Sequence, residues 1–280
     1  MTSSISLNRI VWKIVVYLLL TAGAVIMLIP FFWMVSTSLK AQWQVFTIPV
    51  KWIPDPVMWE NYVTTFSKLP FGTWTLNTLK ITVFGIIGTL ISCTLVAYGF
   101  ARYRAPGRNI LFVVMLSTMM LPGTVTMIPT FYLFKLFGWM NTYYPLIVPH
   151  YFGAAFFIFL LRQFFLTIPP ELEESARIDG ANTLDILLRI MIPLIVPALI
   201  TVAIFQFNGL WNDFMGPLLY LNKPKLYTLA LGINFFKSQN DTQWNYLMAA
   251  SVVSMLPSLI FFFLGQKRFV QSITLTGLKG

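Results

Sequence analysis

Charge of both signs is dense in only one stretch of this sequence, Ile168 to Pro193, which holds Glu171, Glu173, Glu174, Arg177, Asp179, Asp185 and Arg189. Read from composition alone, such a charged stretch is a solvated hairpin between membrane helices. Its residues do not form a catalytic set. Acid–base and nucleophilic chemistry would draw on His and Cys, and the chain has one of each, His150 and Cys93. Single residues of these types leave no His-based metal cluster and no intramolecular disulfide. His150 reads as an interfacial residue with satisfied hydrogen bonds, and Cys93, between Ser92 and Thr94, as a packed thiol. A membrane protease would need a Ser–His pair or two membrane aspartates, and no G-x-S-x-G occurs.

The dense stretch also carries its own structural punctuation. Pro169 and Pro170 suit a helix's first turn, and Glu171, Glu173 and Glu174 lie where the macrodipole favours anions. A short helix over Pro170–Asp179 follows. Gly180 can end it in a left-handed conformation, and Asn182 with Asp185 three residues on resembles a capping box for a second helix.

The elements that must position this loop belong to a bilayer. The 280 residues are 57% hydrophobic and 10% charged, with mean hydropathy +0.74, whereas soluble chains carry roughly 25% charge. The net charge of +10 would raise the question of nucleic acid in a soluble protein, but the basic residues are spread through short loops. Six stretches free of ionisable residues are long enough to span: 14–39, 81–101, 109–134, 136–161, 190–212 and 242–266. The apolar piece Phe214 to Asn222 is too short and reads as a buried loop. Whether Lys80 opens the second span or snorkels from within it stays open.

Six spans put both termini on one side, with Arg9, Lys13, Arg102, Arg104, Arg108, Arg162, Arg177, Arg189, Lys267, Arg268 and Lys279, so that side is read as the cytoplasm. The first apolar run is too long for a signal peptide and lacks a small-x-small cleavage pattern, which favours an uncleaved anchor. Within the spans, Gln206, Asn208, Asn212 and Asp213 form the polar cluster that would face either a pathway or a partner subunit. Gly85 and Gly88 would allow close helix packing. Pro122, Pro129, Pro193 and Pro197 would shape kinks or span ends.

Glu174-Ser175-Ala176, then Gly180 after three residues, Ile190 after nine more, and Ile192-Pro193 resemble the EAA motif of ABC-importer permeases. That motif reads Glu-Ala-Ala, three residues, Gly, nine residues, Ile, one residue, Leu-Pro. Ser175 and Ile192 depart from it while keeping size or polarity. The resemblance runs over nearly the whole chain and is nearest the maltose-type branch of carbohydrate permeases. Asn61-Tyr62, Leu121-Pro122, Ile128-Pro129, Asn141-Thr142-Tyr143, Trp211-Asn212-Asp213-Phe214 and the tail ending Thr276-Gly277-Leu278-Lys279-Gly280 support it.

The resemblance implies an all-α membrane protein, one polytopic domain over residues 1–280, with the six-helix bundle of a type I ABC importer permease and a cytoplasmic coupling helix. It implies that Glu171, Glu174, Ser175, Ala176, Arg177, Asp179 and Gly180 couple to an ABC ATPase, of which two subunits are expected. Ala176 and Gly180 would permit close backbone approach, and Glu174 would make the charged contact. It further implies a second permease subunit, an extracytoplasmic solute-binding protein, and a sugar or oligosaccharide as substrate, with no nucleic acid. Lys237, Asn240, Asp241 and Trp244 either meet that binding protein or form a plain solvated loop, and the tail with Lys279 either reaches the ATPase pair or lies on the membrane surface. The chain would be no enzyme and bind no cofactor; ATP and Mg belong to the partner, since no G-x-x-x-x-G-K-[ST] phosphate loop occurs here. The rival reading is a secondary transporter or channel working without an ATPase, which would need intramembrane ionisable residues that these spans scarcely contain.

Overall fold

Apolar segments in lipid become helices because only a helix satisfies its own backbone where water is absent. The computed structural model describes residues 3–237 and 242–277, and among these it contains helices and their connections only. The principal elements are α1 (Ser3–Ser38), α2 (Glu60–Lys68), α3 (Phe71–Arg102), α4 (Arg108–Ser117), α5 (Gly123–Leu136), α6 (Ala155–Thr167), α7 (Glu171–Ile178), α8 (Val196–Trp211), α9 (Met215–Tyr220) and α10 (Trp244–Gly277). Among the described residues, four runs are long and apolar enough to cross a bilayer: Arg9–Ser38, Phe71–Arg102, Tyr144–Thr167 and Trp244–Gln266. Two further candidates are broken. Arg108–Met120 and Gly123–Leu136 meet at 98°, and Thr183–Leu194 meets Val196–Trp211 at 77°. The chain is a multi-pass helical bundle of four spans, or six if each bent pair is one.

Pro122 stands in the first break, and Pro193 and Pro197 flank the second. Each lacks a donor and clashes with the preceding turn, so the helix axis turns there. Just ahead of the second break, Ile186–Met191 is wound as a π-helix, a form that recurs at functional sites.

Several features differ from those expected of charge-free runs. α3 begins at Phe71 and carries Lys80 exposed on its surface, so this lysine does not open the helix. The fourth crossing runs Tyr144–Thr167 instead of 136–161. A turn with Gly138 at φ +70° and Asn141 at φ 58° separates it from Lys135. At its other end Arg162 sits inside the helix, with Nε donating to the Phe100 carbonyl at 3.3 Å and the guanidinium 4.3 Å above the Phe112 ring. A charge with such local partners does not end a helix. The expected buried loop at Phe214 to Asn222 is mostly the short helix α9.

The chain packs as two compact units. The first comprises residues up to Leu69 with Ile233–Ser254. Its hub is the buried Asn61, whose amide donates to the Ser38 and Lys40 carbonyls at 2.9 and 2.8 Å and accepts from Asn245 at 3.0 Å. Lys40, just past the end of α1, is fully buried with its ammonium 4.0 Å over the Trp33 ring, and burial lowers its pKa.

The second unit, Pro70–Gly232 with the end of α10, is built around α3. Helices α6 and α8 lie along it, burying Cys93, Ala97, Leu161, Phe165, Met191 and Val202 together. Close approach depends on glycine. At Gly88 a Cβ would fall 2.5 Å from Tyr151 Cδ2, so the ring occupies the space a side chain would take. Gly88→Val should therefore destabilise the unit by about 1–3 kcal/mol through overpacking. It should lower the melting temperature of the purified protein in detergent, whereas Gly72→Val, where nothing lies within 4 Å of the added Cβ, should leave it in place.

Candidate functional site

Helix α7 is short, sharply bounded and two-faced. Pro170 precedes it at φ −64°, and its carbonyl accepts from the amides of Glu173 and Glu174 at 3.0 and 3.1 Å. At the other end Gly180 stands at φ +84°. The Ala181 amide reaches back to the Ala176 carbonyl at 2.9 Å and the Gly180 amide to that of Arg177 at 3.1 Å, which completes a Schellman cap. Beyond it, the Asp185 amide donates to Asn182 Oδ1 at 2.9 Å, and Asp185 pairs with Arg189 at 3.3 Å. The helix, turn and capped second helix expected from the sequence are all present.

Only Glu173 and Ala176, three residues apart on one face, are buried. Ala176 packs into the core with Ile168 and Ile186, so it faces its own chain and shapes the site by holding α7 down. Glu171, Leu172, Glu174, Ser175, Arg177, Ile178, Asp179 and Gly180 are exposed. Ile178 is 87% exposed, and Leu172 is also open. Ser175 spends its hydroxyl on the Glu171 carbonyl. The outward face thus mixes acidic, basic and aliphatic side chains.

The buried face holds what sequence reasoning missed. Glu173 Oε1 lies 2.8 Å from Arg102 Nε, with the two side chains only 8% and 11% exposed. The Tyr98 hydroxyl donates to Glu173 Oε2 at 3.3 Å, and Arg102 Nη2 donates to the Ile168 carbonyl at 2.7 Å. Tyr98 and Arg102 are one turn apart on α3, so a single helix edge grips both α7 and the chain leading into it. The sequence offered one clue, the coincidence of Glu173 and Ala176 on one helical face. Beside the pair a cavity of about 670 Å³ is lined by Ala101, Arg104, Arg108, Pro170, Glu174 and Arg177 in addition to the pair itself.

The other predicted groups are dispersed. Gln206 is buried, its Nε2 3.0 Å from His150 Nδ1, and the His150 carbonyl accepts from Ser92 at 3.0 Å. Asn208 on α8 and Asn212 at its C-terminal cap are exposed, with Asn212 Nδ2 donating to the Asn208 carbonyl at 3.0 Å. Asp213 turns away to accept from the Gly216 amide at 3.1 Å. Burial raises its pKa, and the amides of Gly216 and Met215 partly offset this. Lys237 is exposed, and Trp244 meets Phe46 edge-on at 5.8 Å. Asn240, Asp241 and Lys279 lie outside the described residues.

Residues 93–275 match the family described as "Binding-protein-dependent transport system inner membrane component". The chain belongs to this family. The permease is 32% identical over 273 residues to the arabinooligosaccharides transport system permease protein AraQ of Bacillus subtilis, covering 96% of this chain and 97% of the relative. It is 31% identical over 278 residues to the inner membrane ABC transporter permease protein YcjP of Escherichia coli, covering 98% and 99%. A chain in the crystal structure of a bacterial ABC transporter involved in the import of the acidic polysaccharide alginate superposes with TM-score 0.81 at 26% identity, covering 92% of this chain and 96% of that one. The protein is the non-catalytic transmembrane subunit of an ATP-driven importer.

Two expectations follow for the permease. A side chain at φ +84° is strained by roughly 1–2 kcal/mol, so Gly180→Val should loosen the end of α7 and raise amide exchange at Ala181 without changing exchange in α3. For Asp213, a raised folded-state pKa means that the fold binds more protons than the unfolded chain between the two values, so this group's contribution falls as pH rises through the folded value. Measured from pH 7 down to pH 4, Asp213→Asn should remove a component of stability that grows on acidification in the parent protein.

Proposed function

We propose that α7 is the coupling helix of this permease and that its outward face seats in a cleft of an ABC ATPase subunit. The observation that carries this reading is the division of the helix: one face is fixed to α3, while Glu171, Glu174, Arg177 and Ile178 are left open on the other. Glu174 makes the charged contact to a basic residue of the ATPase. Leu172 and Ile178 supply apolar surface, Ser175, Asp179 and Gly180 lie at the edge, and Ala176 holds the helix to its scaffold. The side bearing α7, both termini and the arginine-rich loops is the cytoplasm, as the distribution of basic residues favours.

The full assembly in this reading holds two ATPase subunits, which bind ATP and Mg, a second permease and an extracytoplasmic solute-binding protein, with residues 1–280 as one permease domain. The substrate is a sugar or oligosaccharide. Support comes from the relatives' names, among them permeases for arabinooligosaccharides in Bacillus subtilis and diacetylchitobiose in Streptomyces coelicolor. The maltose-type branch rests on the motifs alone. Asn208 and Asn212 form a polar edge on a membrane helix, which suits a water-filled pathway or the partner permease better than lipid. Gln206 and Asp213 are engaged within the chain and act by shaping that helix and its end. Lys237 and Trp244, with Asn240 and Asp241, are the proposed contact to the binding protein.

Truncating one member of a desolvated charged contact commonly costs about 2–5 kcal/mol. Glu174→Ala should therefore lower the amount of ATPase co-purifying with the permease by tenfold or more and cut transport in proteoliposomes, with the melting temperature of the isolated permease unchanged. A variant that retains full ATPase association would refute the contact.

A further inference from the structure

A coupling helix is useful only if its displacement reaches the membrane helices, and α7 is joined to its neighbours at few points. Its ends are cut off from continuous helix by Pro169-Pro170 and by the left-handed Gly180. Neither a proline-led turn nor a glycine cap transmits a push as helix does, because each replaces the continuous ladder of backbone bonds. What remains is the buried face. There Glu173 takes an ion pair from Arg102 and a hydrogen bond from Tyr98, while Arg102 also holds the Ile168 carbonyl at the entry to α7. Ala176 adds a close apolar contact one turn along.

Arg102 is the last residue of α3, and α3 is the helix along which α6 and α8 pack. Force arriving at α7 through Glu173 therefore enters the bundle at the end of its central member. Directional, charged bonds in a desolvated setting resist displacement more than apolar contact alone, since breaking them leaves buried charge unmatched.

We propose that Glu173, with Arg102 and Tyr98, is the joint that delivers motion of α7 to α3. Glu173 is a positioning residue, distinct from Glu174 one position later: Glu174 faces the ATPase and Glu173 faces the permease. The proposal rests on the coupling-helix reading and adds the path by which motion leaves that helix.

The test uses the complete importer, with both permeases, the ATPase pair and the binding protein, in proteoliposomes. Glu173→Gln and Arg102→Gln each break the pair, and their double variant removes both charges. Tyr98→Phe deletes a single hydroxyl and guards against failure to fold. The readouts are ATPase co-purification, hydrolysis rate, and substrate carried per ATP hydrolysed. Both single variants should assemble with the ATPase and hydrolyse within about twofold of the parent, while substrate carried per ATP falls about tenfold. Tyr98→Phe should lower that ratio about threefold. The double variant should be no more uncoupled than either single, because the two residues act as one joint.

A merely structural role would lower the yield and melting temperature of the complex while leaving the ratio of substrate to ATP unchanged, and that result overturns the proposal. Loss of ATPase association in Glu173→Gln, as expected for Glu174→Ala, would also overturn it by making Glu173 a partner contact. If any of these variants fails to fold, an unchanged ratio in Tyr98→Phe would count against the joint. Failure of the underlying reading looks different: Glu174→Ala would then keep full ATPase association whatever Glu173 does.

Discussion

Within the hydrocarbon no water is at hand to complete a hydrogen bond, so every interruption of a helix must find its partners inside the protein. This chain interrupts its helices often, and α3 supplies many of the partners. Trp74 Nε1 donates to the Pro224 carbonyl at 2.8 Å, Asn77 to those of Lys225 and Tyr227 at 2.9 and 3.0 Å, and the Thr78 hydroxyl accepts from the Leu229 amide at 2.8 Å. Further along, Ser92 serves the His150 carbonyl, and at the far end Arg102 serves that of Ile168. A helix of high mean hydropathy thus carries a polar edge whose residues bond to the backbone of short helical turns, helix ends and the links between them. The rest of the second unit can bend and break because this edge exists.

The same logic explains the position of the buried ion pair. An unpaired carboxylate at Glu173 would be expensive to bury, and Arg102 and Tyr98 make the burial tolerable. The pair in turn decides which face of α7 is left open. A one-residue difference in sequence, Glu173 against Glu174, becomes a difference between gripping the scaffold and facing outward.

Much of this was legible in the amino acids. The cap at Gly180, the Asn182–Asp185 box and the proline-flanked breaks all depend on local rules, where one residue type has one preferred conformation. The helix Glu171–Ile178 was expected within a residue or so at each end. Less legible was anything requiring knowledge of which face turns inward. Arg102 read as a marker of sidedness, and its pairing with a residue far along the chain leaves no trace in spacing. Arg162 misled the placement of the fourth crossing because counting charges assumes they stand at helix ends, and here a backbone carbonyl and an aromatic face accommodate one inside. Gln206, Asn208, Asn212 and Asp213 look like one cluster in sequence. Helical geometry separates them, since positions 206 and 208 point to different sides.

The length of α3 has a mechanical consequence. Its 32 residues extend about 48 Å at 1.5 Å per residue. A rigid rod of that length, tilted by about 5° at its Arg102 end, sweeps its opposite tip through about 4 Å, more than the width of a water molecule. That tip is where Trp74, Asn77 and Thr78 are bolted to the backbone of residues 224–229. Small rotations at the Arg102 end of α3 are thereby geared up into displacements many times larger at the end held by residues 224–229.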